Sequence, residues 1–219
     1  KDILCEKPMA LDLDECDRMI EATTANEVKL GIAYYRHFYL IVHRMKELID
    51  GGELGKVVMV QANAFEYLTM EPDHPRYWFL EKEKAGGGPM FDFGCHRMEA
   101  FTNLFGTVAE TRGMLDRIVF EREVEDTGAV IFQFEDGPMA TLTVTHASDE
   151  PQDTLDIFGQ EGAIHVPELN GDTLRLVQGG SVAVEHHPLP ENVHQPLIEQ
   201  FTRAVLEDEA PAVDGAIGR

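Results

Sequence analysis

The sequence predicts an α+β fold: an open, mostly antiparallel β-sheet with helices on one face. Three observations predict it. Beyond Gly106 the apolar residues recur mostly with period two, in a series of short segments. Turn signals separate those segments, with Asp136-Gly137 as a strong hairpin signal and further punctuation at 159–162 and at Gly179-Gly180. The segments with helical spacing lie elsewhere, before Gly106 and at the end of the chain, so strands and helices are segregated rather than alternating.

The elements follow in order. Ile3-Leu4-Cys5 is a short apolar strand running into Glu6-Lys7-Pro8, where Pro8 ends any ladder and holds Lys7 out of the helical region. Asp12 or Asp14 caps a helix whose apolar positions are Cys16, Met19 and Ile20. A strand is expected over 28–35, ending at Tyr34-Tyr35-Arg36. A helix over 39–50 buries Ile41, Met45 and Leu48, and Gly51-Gly52 stop it. The run Val57-Val58-Met59-Val60 opens a strand to about Tyr67, followed by a polar loop over 69–88 that holds Trp78. A helix covers 90–104. Strands are expected at 108–115, 116–120, 127–134, 139–146, 154–159, 163–166, 173–178 and 182–187, and an amphipathic helix at 195–207. No repeat, low-complexity tract or Gly/Pro-rich linker divides the chain, which reads as one domain over residues 1–219.

Charge narrows the function classes. Forty acidic residues against eighteen Lys and Arg leave a formal charge of -22, which repels phosphate backbones and anionic lipid, so neither nucleic acid nor a membrane is an expected partner. No stretch approaches a membrane-spanning length, and Lys1-Asp2-Ile3-Leu4-Cys5 is too short and too soon charged for a secretory core. Three cysteines without CxxC spacing point to reduced thiols and a cytoplasmic protein.

The residues that carry chemistry are few. Asp92 and His96 stand four apart on the 90–104 helix, and Glu99 and Asn103 extend that polar stripe opposite Phe91, Met98, Phe101 and Phe105. A carboxylate beside an imidazole makes a base and its orienter; the same spacing also serves an ordinary solvated pair. Gly86-Gly87-Gly88 allow close backbone approach before the helix, and Pro89 suits its first turn. Lys7 at a strand end is either a positioned cation or surface charge. No G-x-G-x-x-G, H-E-x-x-H or G-x-S-x-G occurs, so neither a dinucleotide fingerprint, a metal site nor a nucleophile elbow is expected.

Four stretches occur in a recognisable order: Leu4-Cys5-Glu6-Lys7-Pro8, Gly31-Ile32-Ala33-Tyr34-Tyr35-Arg36, Gly52-Glu53-Leu54-Gly55-Lys56-Val57, and 85–96 with its Gly86-Gly87-Gly88, Asp92, Gly94 and His96. Together they closely resemble the glucose–fructose oxidoreductase / inositol dehydrogenase / rhizopine-catabolism (Gfo/Idh/MocA) family. The resemblance implies an oxidoreductase that uses NAD or NADP and acts on a sugar, inositol or related polyol. It implies that this chain is the C-terminal domain of a two-domain dehydrogenase, with the nucleotide-binding domain expected ahead of Lys1. It makes Lys7, Asp92 and His96 the catalytic group, Glu6, Lys7 and Pro8 the cofactor-side contacts, and Arg36 with Tyr35 the substrate contacts. On this reading the Lys7 ammonium stands within about 10 Å of the His96 ring, the span of one bound sugar. The chain alone is expected neither to turn over nor to hold NAD(P) tightly. A non-catalytic ligand-binding or oligomerisation module on the same fold is the alternative. Apolar residues on both alternations of 127–134 point to a homo-oligomer, dimer or tetramer, formed through the sheet face.

Overall fold

In the computed structural model, which describes Lys1–Arg219, residues from both ends of the chain fold together. The first third holds β1 (Ile3–Cys5), α1 (Leu13–Ala25), β2 (Leu30–Ile32), a 3₁₀ turn at Tyr35–Phe38 and α2 (Leu40–Asp50). Then come β3 (Val57–Tyr67), a 3₁₀ turn at Tyr77–Leu80, α3 (Lys82–Ala85), a π-helical turn at Met90–Gly94 and α4 (Cys95–Phe105). The strands β4 (Val108–Asp116), β5 (Thr127–Phe134), β6 (Met139–Thr145), β7 (Ala147–Gly159), β8 (Gly162–Val166), β9 (Thr173–Gln178) and β10 (Ser181–His186) follow, with α5 (Gln195–Leu206) and α6 (Gly215–Gly218) last. No helix is long and apolar enough to cross a membrane.

The chain forms two units, one of 1–39 with 190–219 and one of 40–189. The first is assembled from both termini, which is why no linker composition marks the division. In it β1 and β2 pair in parallel, Ile3 opposite Leu30, with α1 as the crossover. Asp12 caps α1 by accepting from the Glu15 amide at 2.8 Å, and Glu15 returns the favour to the Leu11 amide. The expected strand over 28–35 is only Leu30–Ile32. Tyr34 folds back on Ile32 through an N–H···O bond of 2.8 Å, and the chain enters the 3₁₀ turn. Gly31 is required where it stands, because an added Cβ would lie 2.7 Å from the Phe201 ring of α5.

The second unit is an eight-stranded sheet in the order β10-β9-β8-β7-β3-β6-β5-β4, antiparallel except where β3 and β6 run side by side in parallel. Alternate residues of every central strand face one side: Val60, Ala62 and Ala64 on β3, Ala140, Leu142 and Val144 on β6, Phe132 and Phe134 on β5, Leu155 and Ile157 on β7, all buried. Helix α4 lies over this face, with Phe101 edge-on to Phe132 at 5.7 Å and Phe105 beside Phe134. Small residues at Ala62, Ala64 and Ala140 suit that close seat. Helix α2 joins α4 through Lys46, which donates to the Asn103 carbonyl at 3.0 Å.

One expected strand is absent. Residues 116–120 are not a separate strand: β4 ends at Asp116 and the chain loops until β5. The cause is Asp126. Its fully buried carboxylate accepts from the amides of Ile118, Val119 and Phe120 at 3.0, 2.8 and 2.8 Å, leaving them nothing to offer a ladder. Strand β7 also begins seven residues earlier than the period suggests, running through Pro151 with its register shifted against β3 near Tyr67.

Candidate active site

The triple glycine does what the sequence predicts. A Cβ on Gly88 would lie 2.0 Å from the Glu125 carbonyl, so the chain before α4 rests on the 117–126 loop as only glycine permits. The helix that follows differs from expectation in its first turn. Residues Met90–Gly94 are π-helical and only then does α4 begin, so Asp92 sits on the wide turn and His96 on the first turn of the α-helix. Of the two readings of the polar stripe, the solvated face does not hold at its centre: His96 is 3% exposed and Glu99 4%, and Arg97 beside them is 3% exposed. Arg97 is held by an ion pair with Asp153 and donates to the Phe93 carbonyl at 2.9 Å.

Asp92 has two neighbours that no motif marks. Glu66 and His146 continue the inward stripes of β3 and β6 by one more step, after Ala64 and Val144. Because those strands are parallel and paired Phe65 to Thr145, both polar residues arrive at the same end of the sheet, under the π-turn. His146 Nε2 lies 3.7 Å from a Glu66 carboxylate oxygen and 3.8 Å from one of Asp92. Its ring stands edge-on to Phe93 at 4.9 Å. The His146 side chain is 2% exposed and Nε2 has no hydrogen-bond partner.

Arg122 fixes the chemistry of that imidazole. Its Nη2 approaches His146 Nδ1 at 3.1 Å and also donates to the Glu125 carbonyl, while Nη1 donates to Leu68 O. A guanidinium has only donors, so Nδ1 must accept and the neutral ring carries its hydrogen on Nε2. Burial, then the positive charge of Arg122, push the His146 pKa down to about 4, against a counter-pull from Asp92 and Asp126. Glu66 moves upward, first from burial and then from the Asp92 charge. Burial alone would raise Asp126, but the three backbone donors and Thr127 hold it at about 2. Glu66, Asp92 and His146 place one ligand atom each within 4.8 Å of one another, the spacing of a metal site. The donor set does not suit a cation, because the nitrogen that faces the carboxylates is the protonated one.

The remaining sequence-predicted residues belong to the other unit. Glu6, Lys7 and Pro8 follow β1, and Tyr35 with Arg36 follow β2, so both segments leave the carboxyl end of the same parallel pair, tied by the Ala33 amide to Cys5 O at 2.8 Å. That end of a parallel sheet is where α/β folds receive nucleotides. Arg36 is 6% exposed with its guanidinium 4.9 Å over the Tyr35 ring, and that ring also meets His194 at 4.7 Å.

Three comparisons with known proteins bear on this geometry. Residues 42–165 match the model of the GFO/IDH/MocA C-terminal domain. D-xylose 1-dehydrogenase [NADP(+)] of Haloarcula marismortui is 28% identical over the whole chain, which spans 62% of that protein. Myo-inositol 2-dehydrogenase of Thermotoga maritima is 24% identical, again over the whole chain and 66% of its own length. Among solved structures, aldose-aldose oxidoreductase from Caulobacter crescentus, complexed with glycerol, superposes with a TM-score of 0.90 at 25% identity, covering all of this chain and 66% of that one. The chain therefore spans about 62–66% of the length of these three proteins.

Proposed function

Because this chain belongs to the GFO/IDH/MocA family and matches its C-terminal domain, we propose that it is the substrate-binding and catalytic half of an NAD(P)-dependent oxidoreductase acting on a sugar, inositol or related polyol. The observation that carries the reading is the buried His96 on the first turn of α4, with Asp92 one turn ahead on the π-segment. A buried imidazole at a helix start, withdrawn from solvent, suits proton transfer better than a surface role. The dehydrogenase names of the relatives support the same class of chemistry.

In this mechanism His96 and Lys7 both act on the substrate carbinol. His96, oriented by Asp92, takes the hydroxyl proton. Lys7, as an ammonium, stabilises the alkoxide as it forms. The nicotinamide, when bound, supplies the hydride acceptor. Both protein groups are needed because hydride leaves only as negative charge builds on oxygen. Glu6 and Pro8 fix the Lys7 backbone on the cofactor side, and Arg36 with Tyr35 hold substrate hydroxyls. The test is nicotinamide reduction by the full-length enzyme against inositols and aldoses. Oxidation of a neutral member supports the reading, and His96→Ala should lower kcat about 10²–10⁴-fold, the usual size of base catalysis. No oxidation of any member, or unchanged turnover in the variant, overturns it.

A further inference from the structure

Glu66 and His146 remain unused by that mechanism, yet their placement is specific. The gaps from His146 Nε2 to the Glu66 and Asp92 oxygens, 3.7 and 3.8 Å, are too long for a direct hydrogen bond. They do leave room for a single oxygen atom seated over the three atoms, off the lines between them, which can accept from Nε2–H and donate to a carboxylate. We propose that Glu66 and His146 form, with Asp92, a specificity subsite for a non-reacting hydroxyl of the substrate, selecting neutral sugars and polyols over sugar acids. The proposal rests on the dehydrogenase reading and adds two residues and a substrate charge to it.

Arg122 leaves the His146 ring a donor at Nε2, and this buried donor has no partner, a state that costs free energy until something accepts from it. The accepting group must also donate, since two carboxylates face it, and a hydroxyl is the substrate group that does both. A carboxylate from a sugar acid could accept from Nε2–H but would meet Glu66 and Asp92 as a third anion. The nearby cations do not reverse this. Arg97 is paired with Asp153, and Arg122 lies beside Asp126 and Glu125. Arg76 and Arg97 lower the Glu66 proton affinity, but burial and Asp92 outweigh them. The Asp126 loop holds Arg122 in place, so the subsite is set from behind by residues that never touch substrate.

The test uses two pairs matched in shape, D-glucose with D-glucuronate and D-galactose with D-galacturonate, as substrates of the full-length enzyme. The expected kcat/KM favours the neutral member by about tenfold or more, the scale of one like-charge contact in a partly solvated site. Glu66→Gln removes one anion and should narrow that ratio about tenfold. His146→Phe should raise KM for the neutral sugar about tenfold with kcat little changed, and His146→Gln, which keeps a donor, should restore most of it. A fold-independent readout accompanies these on the wild-type protein: the ring nitrogen signals of isotope-labelled histidine should show His146 protonated at Nε2 at neutral pH and shifted by D-glucose but not by D-glucuronate. Equal kcat/KM for both members, or a ratio that Glu66→Gln leaves unchanged, removes the subsite and leaves the dehydrogenase reading standing. Ring shifts by D-glucose without oxidation of either sugar keep the subsite and remove the reading. Neither oxidation nor shifts removes both. Loss of the Nε2 hydrogen on adding zinc overturns the subsite in favour of a cation site.

Discussion

Asp126 shows how one residue can set the site without reaching it. Its carboxylate gathers three loop amides, the loop carries Arg122, and Arg122 decides which nitrogen of His146 bears hydrogen. Hydrogen bonds to a charged acceptor contribute about 1.5–3 kcal/mol each, so Asp126→Asn should destabilise the fold by roughly 2 kcal/mol, read as a shift in denaturant midpoint. The pH dependence has a definite sign. Asp126 falls from its ordinary 3.8 to about 2 on folding, so its stabilisation is full above pH 4 and is lost as pH drops toward 2. His146 falls from 6.5 to about 4, so folding keeps it neutral, and stability should decline as pH falls from 6.5 through 4. In Asp126→Asn the lower of these two acid transitions should vanish; if acid unfolding is unchanged, the account of this loop is wrong. Glu66 has the opposite sign, its proton affinity raised by folding, so Glu66→Gln should raise Tm slightly at neutral pH while weakening selectivity.

At the scale of elements, period and punctuation served well where local forces decide. Strands such as Thr127–Phe134 and Thr173–Gln178 appear where the alternation places them, and Asp12 caps α1 as its position predicts. Asp12→Ala should cost about 1 kcal/mol in thermal unfolding, and no change would mean the cap is idle. The failures have a common cause in partners distant in sequence. Ile118-Val119-Phe120 reads as strand because its side chains are β-formers, but a carboxylate six to eight residues later claims its amides. The polar stripe of α4 could equally have been a solvated face, but long-range partners decide it: Asp153 on β7, for example, lets Arg97 be buried beside it. The signal for Glu66 and His146 was present: an apolar alternation that ends on a polar residue at the same inward phase, on two strands. It becomes visible only once β3 and β6 are known to be neighbours, and that pairing is a crossover no local pattern announces. Gly88 was legible as close approach, and Gly88→Ala should displace the 117–126 loop, measured as faster hydrogen exchange at Ile118 to Phe120.

For the whole molecule, charge and the uncovered sheet face are the controlling features. A net charge of -22 on 219 residues opposes compaction, so Tm should rise with sodium chloride as repulsion is screened, and a salt-independent Tm would contradict this. The outward face of the sheet combines exposed Ile131 and Met139 with a polar ladder in which Asn63 bridges Thr143 and Thr154. We expect that face to join copies of the chain, and a strict monomer at about 100 μM by light scattering would count against it. The chain alone should not bind NAD+ or NADP+ at micromolar concentration in calorimetry, because the residues matched to the cofactor side, Glu6 to Pro8, form one loop and no pyrophosphate cradle. The central claim is that Asp92 and His96 serve hydride transfer from a neutral polyhydroxy substrate. The most direct measurement is steady-state nicotinamide reduction by the full-length enzyme and its His96→Ala variant on aldoses and inositols. Turnover by the wild type is expected, with a kcat about 10²–10⁴-fold lower in the variant; equal turnover by the two would contradict the role of His96.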